Sequence, residues 1–129
     1  MDQAISNQEM LDLANRFLMS IKRRDWELLR LIITKDCIWR WPVADSDSST
    51  AIGADSVIDK IAEIADRVID LNFNKVLFGE NGVAISLNFH TKMAGKEADK
   101  NLITVCILRG YQISGINSYL SDVVYKNAL

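Results

Sequence analysis

Apolar residues recur at helical spacing near the start of the chain: Met10, Ala14, Phe17 and Ile21 form one stripe, which Leu11 and Leu18 widen. Ser6 and Glu9 stand in the S-x-x-E arrangement, in which each side chain satisfies the other residue's backbone N–H, so the pattern predicts a helix over 7–24. Asp25 supplies a second cap, and Trp26, Leu29, Ile32 and Ile33 give the buried side of a short helix over 26–33. From Cys37 the residues alternate between β-branched or aromatic and polar as far as Pro42, which ends a short strand. The polar segment 44–53 reads as a loop. Val57, Ile58, Ile61, Ile64, Ala65 and Val68 then return to helical spacing over 54–67, with Asp55 suited to the electropositive first turn.

The remainder reads as an antiparallel meander with strands near 70–78, 83–94, 101–109 and 111–121, and Asn81-Gly82 is its strongest hairpin signal. In the second of these strands Ile85, Leu87, Phe89, Thr91 and Met93 share one face, while Ala84, Ser86, Asn88, His90 and Lys92 share the other. The segment Leu102 to Leu108 is apolar on both faces, which predicts a cover over its outer side. Ile103, Val105 and Ile107, with Tyr111, Ile113 and Tyr119 nearby, make that cover a second copy of the chain, a homodimer through the outer sheet face.

Composition narrows the class. The 129 residues, 49% apolar and 25% charged, suit a single domain over 1–129. Fifteen basic and seventeen acidic residues are mixed along the chain, so nucleic acid and membrane surfaces are not expected partners. The opening MDQAISNQEM lacks a secretory pattern, and a cytoplasmic location is the expectation. Cys37 and Cys106 lack the spacing of a zinc site or disulfide framework and read as free thiols.

The order of these elements, with the segments ANRFLMSIKRRDW, WP, GADSVIDKI and YQISGINSYLSD, resembles the nuclear transport factor superfamily, which includes ketosteroid isomerases and SnoaL-like polyketide cyclases. The resemblance covers nearly the whole chain. It implies an α+β cone-shaped barrel, with three helices packed on a curved, mainly antiparallel sheet. It also implies a mostly apolar cavity for a small hydrophobic, cyclic ligand. The expected lining is Phe17, Trp39, Trp41, Leu87, Phe89, Thr91, Met93, Thr104, Cys106, Ser118 and Leu120. The isomerase chemistry does not transfer with the fold, because it needs a carboxylate base and two acidic hydrogen-bond donors for an enolate oxygen. By the resemblance the base position falls on Trp41, the tyrosine on Phe17 in Arg16-Phe17, and the partner acid on Thr104.

Other candidates for chemistry are weaker. His90 is the single histidine and has the right pKa for proton transfer, but alternation places it on the face away from the expected cavity. Cys106 points inward without a base beside it and reads as a small buried thiol. Asp45 to Thr50 begins like a calcium loop, yet Thr50 stands where the turn needs Gly and Ser56 where a bidentate Glu is needed, so it reads as a lid loop. Neither a metal nor a cofactor is expected. Asp36 and Asp122 sit at strand ends, where either carboxylate suits a cyclase-type acid or base or simple solvation. Three functions follow: a binding domain for a small apolar molecule, an isomerase, cyclase or dehydratase using a displaced carboxylate such as Asp122, and a dimeric interaction module with a vestigial pocket.

Overall fold

A computed structural model of the protein describes residues 5–41, 50–93 and 95–120, with only the backbone at 93, 96, 98 and 120. The first helix, α1 (Asn7–Lys22), begins with the anticipated capping box: the Glu9 backbone N–H donates to Ser6 Oγ at 3.1 Å, and the Ser6 N–H donates to Glu9 Oε1 at 3.0 Å. Met10, Leu13, Ala14, Phe17 and Leu18 are its buried face, so Leu13 rather than the half-buried Leu11 completes the stripe. Helix α2 (Trp26–Ile32) is capped by Asp25, whose carboxylate accepts from the Leu28 N–H at 3.1 Å. Arg24, between the two helices, adopts a left-handed φ of 54° and donates from Nη2 to the Ala65 carbonyl at 3.0 Å. A cation thus sits on the C-terminal carbonyls of α3 (Ala54–Ala65), where the helix dipole favours it. The Arg30–Asp55 ion pair also ties α2 to α3.

The sheet has six strands in the order β2-β1-β6-β5-β4-β3, with β1 Ile33–Arg40, β2 Thr50–Ile52, β3 Val68–Phe78, β4 Gly82–Met93, β5 Lys96–Arg109 and β6 Gln112–Leu120. The β1–β6 pairing is parallel and the other pairings are antiparallel. The sheet is therefore mixed and open, edged by β2 and β3. Helix α1 packs against β3 and β4, and α3 against β1 and β2, so one sheet face is covered by helices. Between the two layers lies the core, which includes Leu29, Cys37, Val57, Ile85, Cys106 and Ile116.

Four expectations change. Ile33 opens β1 instead of closing α2, because its pairing with Ile113 of β6 outweighs its place at the end of a helical pattern. Residues 50–52, read as loop, form β2, with Ala51 buried opposite Trp39. Strand β5 starts five residues before the expected position, since polar Glu97 and Asp99 pair across the ladder with Lys92 and His90. Ile113, assigned to the outer face, is buried in the core at 1% exposure. None of the described helices is long and apolar enough to cross a membrane.

Candidate functional site

Residues facing the helices from the middle of the sheet enclose a cavity of about 80 Å³. Alternation along the strands decides which side chains reach it: Leu87 and Phe89 from β4, Thr104 from β5, Ser118 from β6 and Trp39 from β1 all take the helix-facing side, and α1 contributes Phe17. These are six of the eleven residues expected to line a pocket. Trp41, Thr91 and Cys106 do not line this cavity. The Trp41 ring lies 4.5 Å from that of Trp39, with the Lys60 ammonium 5.5 Å from its centre. Cys106 is wholly buried in the core. The side chains of Met93 and Leu120 lie outside the described residues, as do Asp45 to Ser49 and Asp122.

The sequence reading missed Ile21 of α1, Ile61, Ile64 and Ala65 of α3, Val68 and Leu71 of β3, Leu102 of β5 and Ile116 of β6, all of which complete the wall. The α3 residues carried a usable signal, because its apolar stripe is too wide for a helix touching a single neighbour. Val68, expected on the apolar stripe of α3, instead opens β3, and Leu71 carried no signal, since the inward positions of β3 depend on the register with β4.

No described lining residue is ionisable. Polarity in the wall is confined to one cluster: the Trp39 indole Nε1–H donates to Ser118 Oγ at 3.0 Å, and Ser118 Oγ lies 3.1 Å from Thr104 Oγ1. Phe17 and Thr104, where the resemblance puts two acidic donors, both line the cavity and offer one neutral hydroxyl between them.

Burial pushes the Cys106 thiol up to about 12, and burial with the adjacent Asp36 charge pushes Cys37 up to about 11, so both remain neutral. Asp36 is exposed and bonded by Arg109 at 3.2 and 3.3 Å; the Thr34 side chain first, then Arg109, hold its carboxyl below the usual range. His90 is on the outer face between Asp99 at 2.6 Å and Glu97 at 3.0 Å. Among the described residues no three His, Cys, Asp or Glu side chains converge as a metal site.

Solved structures share this arrangement. A SnoaL-like protein assigned as a polyketide cyclase from Jannaschia sp. CCS1 superposes with a TM-score of 0.78 at 10% identity, covering 99% of this chain and 95% of that one. The fold is that of the NTF2-like proteins. An NTF2-like protein from Burkholderia xenovorans LB400 gives 0.75 at 15% identity over 95% and 97% of the two chains. A cystatin-like-fold protein of unknown function from Xanthomonas campestris gives 0.77 at 20% identity over 92% and 95%. No family model and no curated protein matches the sequence. At these identities the NTF2-like likeness establishes architecture and not chemistry.

Proposed function

We propose that this NTF2-like domain binds a small, neutral, hydrophobic molecule between its helices and sheet, in a cone-shaped enclosure open at one end. The observation that carries the reading is the cavity wall, apolar apart from one hydroxyl cluster and free of described ionisable groups. Burying a charged ligand there would cost its hydration without a counter-charge, whereas an apolar ring loses only unfavourable contact with water. Size limits the ligand further. A cavity of about 150 Å³ holds benzene, so about 80 Å³ admits a single ring only if the apolar side chains of the wall give way, and it excludes a fused polycycle. The test is calorimetric titration with one-ring hydrocarbons, esters and ketones, followed in parallel by tryptophan fluorescence, because Trp39 is in the wall. Saturable binding by at least one compound is expected; no heat and no fluorescence change across the panel would remove the reading.

A second reading rests on the opposite face of the sheet, where Ile103, Ile107 and Tyr119 are 40%, 43% and 48% exposed on adjacent strands. That apolar strip favours a homodimer through the outer face. The two readings are compatible, since the cavity lies on the helix side.

A further inference from the structure

His90 holds a carboxylate against each of its ring nitrogens: Nδ1 lies 2.6 Å from Asp99 Oδ1, and Nε2 lies 3.0 Å from Glu97 Oε1. A neutral imidazole has one N–H and can donate to only one of them, so this geometry is that of the imidazolium. Loss of the proton sets a nitrogen lone pair against a carboxylate oxygen. Around the ring, Asp70 of β3 stands opposite His90 in the ladder, and Lys92, the next outward residue of β4, stands opposite Glu97 of β5. This end of the outer face therefore sets Asp70, Glu97 and Asp99 against Lys92 and the ring, and against Lys92 alone once the proton has left.

The apolar strip lies on the same face. Its rows of outward residues run along β5 from Ile107 through Val105 and Ile103 to Asn101 and then Asp99, the partner of His90. Six strands about 4.8 Å apart make the face about 25 Å wide, and the stretch from Ile107 to Asp99 is about 27 Å long at about 3.4 Å per residue. A stable interface takes about 800 Å² from each partner, so a second copy covering the strip extends over the His90 row as well.

Resting on the homodimer favoured above, we infer that protonation of His90 strengthens the association of two copies through this face and that deprotonation weakens it. Docking removes water from the cluster, where a carboxylate without its partner loses hydration uncompensated, whereas protonated His90 pairs with Asp99 and Glu97 together. Both copies also bring an acidic cluster of the same sign, and each proton reduces that repulsion. Proton uptake therefore accompanies dimer formation. The bonds from Asp99 first, then Glu97, raise the pKa of His90 above 6.5, so the gain is present below about 6.5 and is lost as pH rises through the folded value. His90 is the single histidine, the side chain type whose charge ordinarily changes near neutrality.

The experiment is sedimentation of the unmodified full-length protein over a concentration series at about pH 6 and about pH 8.5, on either side of the histidine range. A gain of about tenfold per His90, taken twice in a dimer, predicts a dissociation constant about a hundredfold larger at the higher pH. His90→Gln keeps a donor for one carboxylate and takes up no proton, so its dissociation constant should be the same at both pH values. Equal constants in the unmodified protein, or a tighter dimer at the higher pH, would overturn the inference and leave the dimer standing. A monomer at both would remove the dimer reading and this inference with it. A pH dependence that persists in His90→Gln would belong to another group and overturn the inference as well. The comparison of two pH values needs no variant, so a misfolded substitution does not protect the proposal.

Discussion

The Trp39 indole N–H reaches Ser118 Oγ at 3.0 Å, joining β1 to β6 across 79 residues of chain at the edge of the parallel pairing. Trp39 is 7% exposed, so this bond is the outlet for a nitrogen that water hardly reaches. Ser118→Ala would leave it unpaired and should destabilise the fold by about 1–3 kcal/mol. Urea denaturation checks this, and a change below about 0.5 kcal/mol would mean that the indole finds another acceptor or water.

Gly53 joins β2 to α3 with φ 92° and ψ 149°, a backbone region that side chains exclude. A Cβ there would find space, its closest neighbour being the Lys35 carbonyl at 3.8 Å, so the penalty is one of backbone strain and not of clash. Gly53→Ala should cost about 1–3 kcal/mol, read as a lower melting temperature with the far-UV spectrum unchanged.

His90 titrates above its usual 6.5, chiefly because Asp99 and then Glu97 hydrogen-bond its ring, with burial opposing them weakly. The folded pKa exceeds the unfolded one, so protonation stabilises the fold fully below about 6.5 and the benefit is lost as pH rises through the folded pKa. An NMR titration of the His90 ring should give a midpoint above 6.5 that falls when Asp99→Asn and Glu97→Gln are combined. An unchanged midpoint in that variant would refute the assignment of cause.

Ala65 lines the cavity from the last turn of α3 and is 5% exposed. Ala65→Leu places extra carbon atoms in a space of about 80 Å³ and should weaken binding of any one-ring ligand at least tenfold while keeping a cooperative unfolding transition. A steroid enone should be neither bound inside nor isomerised, since Phe17 and Thr104 line the wall without an acid or base. Measurable isomerisation would show a catalytic group that the described residues do not contain.

Val105 lies between Ala84 and Asn117 on the outer face, beside the exposed Ile103 and Ile107. Sedimentation of the unmodified protein at micromolar concentration should give a dimer, and Val105→Lys should convert it to monomer by placing a charge in an apolar interface. A monomer in both cases would remove the second reading.

Local sequence determined the three helices and most of the strands. The Ser6 and Glu9 capping box, the Asp25 cap and the stripes of α1 and α3 are written in residues a few positions apart, and the same short-range physics operates in the folded chain. Alternation in β4 likewise placed Leu87 and Phe89 inward and His90 outward. Tertiary structure decided what depends on partners distant in sequence. Ile33 became strand because Ile113 pairs with it, Thr50 to Ile52 became β2 because β1 offers an edge, and Glu97 and Asp99 entered β5 as cross-strand partners of Lys92 and His90. The cavity wall divides in the same way: inward strand positions were legible, whereas Val68, Leu71 and Ile116 reach the site only through sheet register. The Trp39–Ser118–Thr104 cluster depends on three strands meeting, and pattern within one strand carries no trace of a hydrogen bond to another.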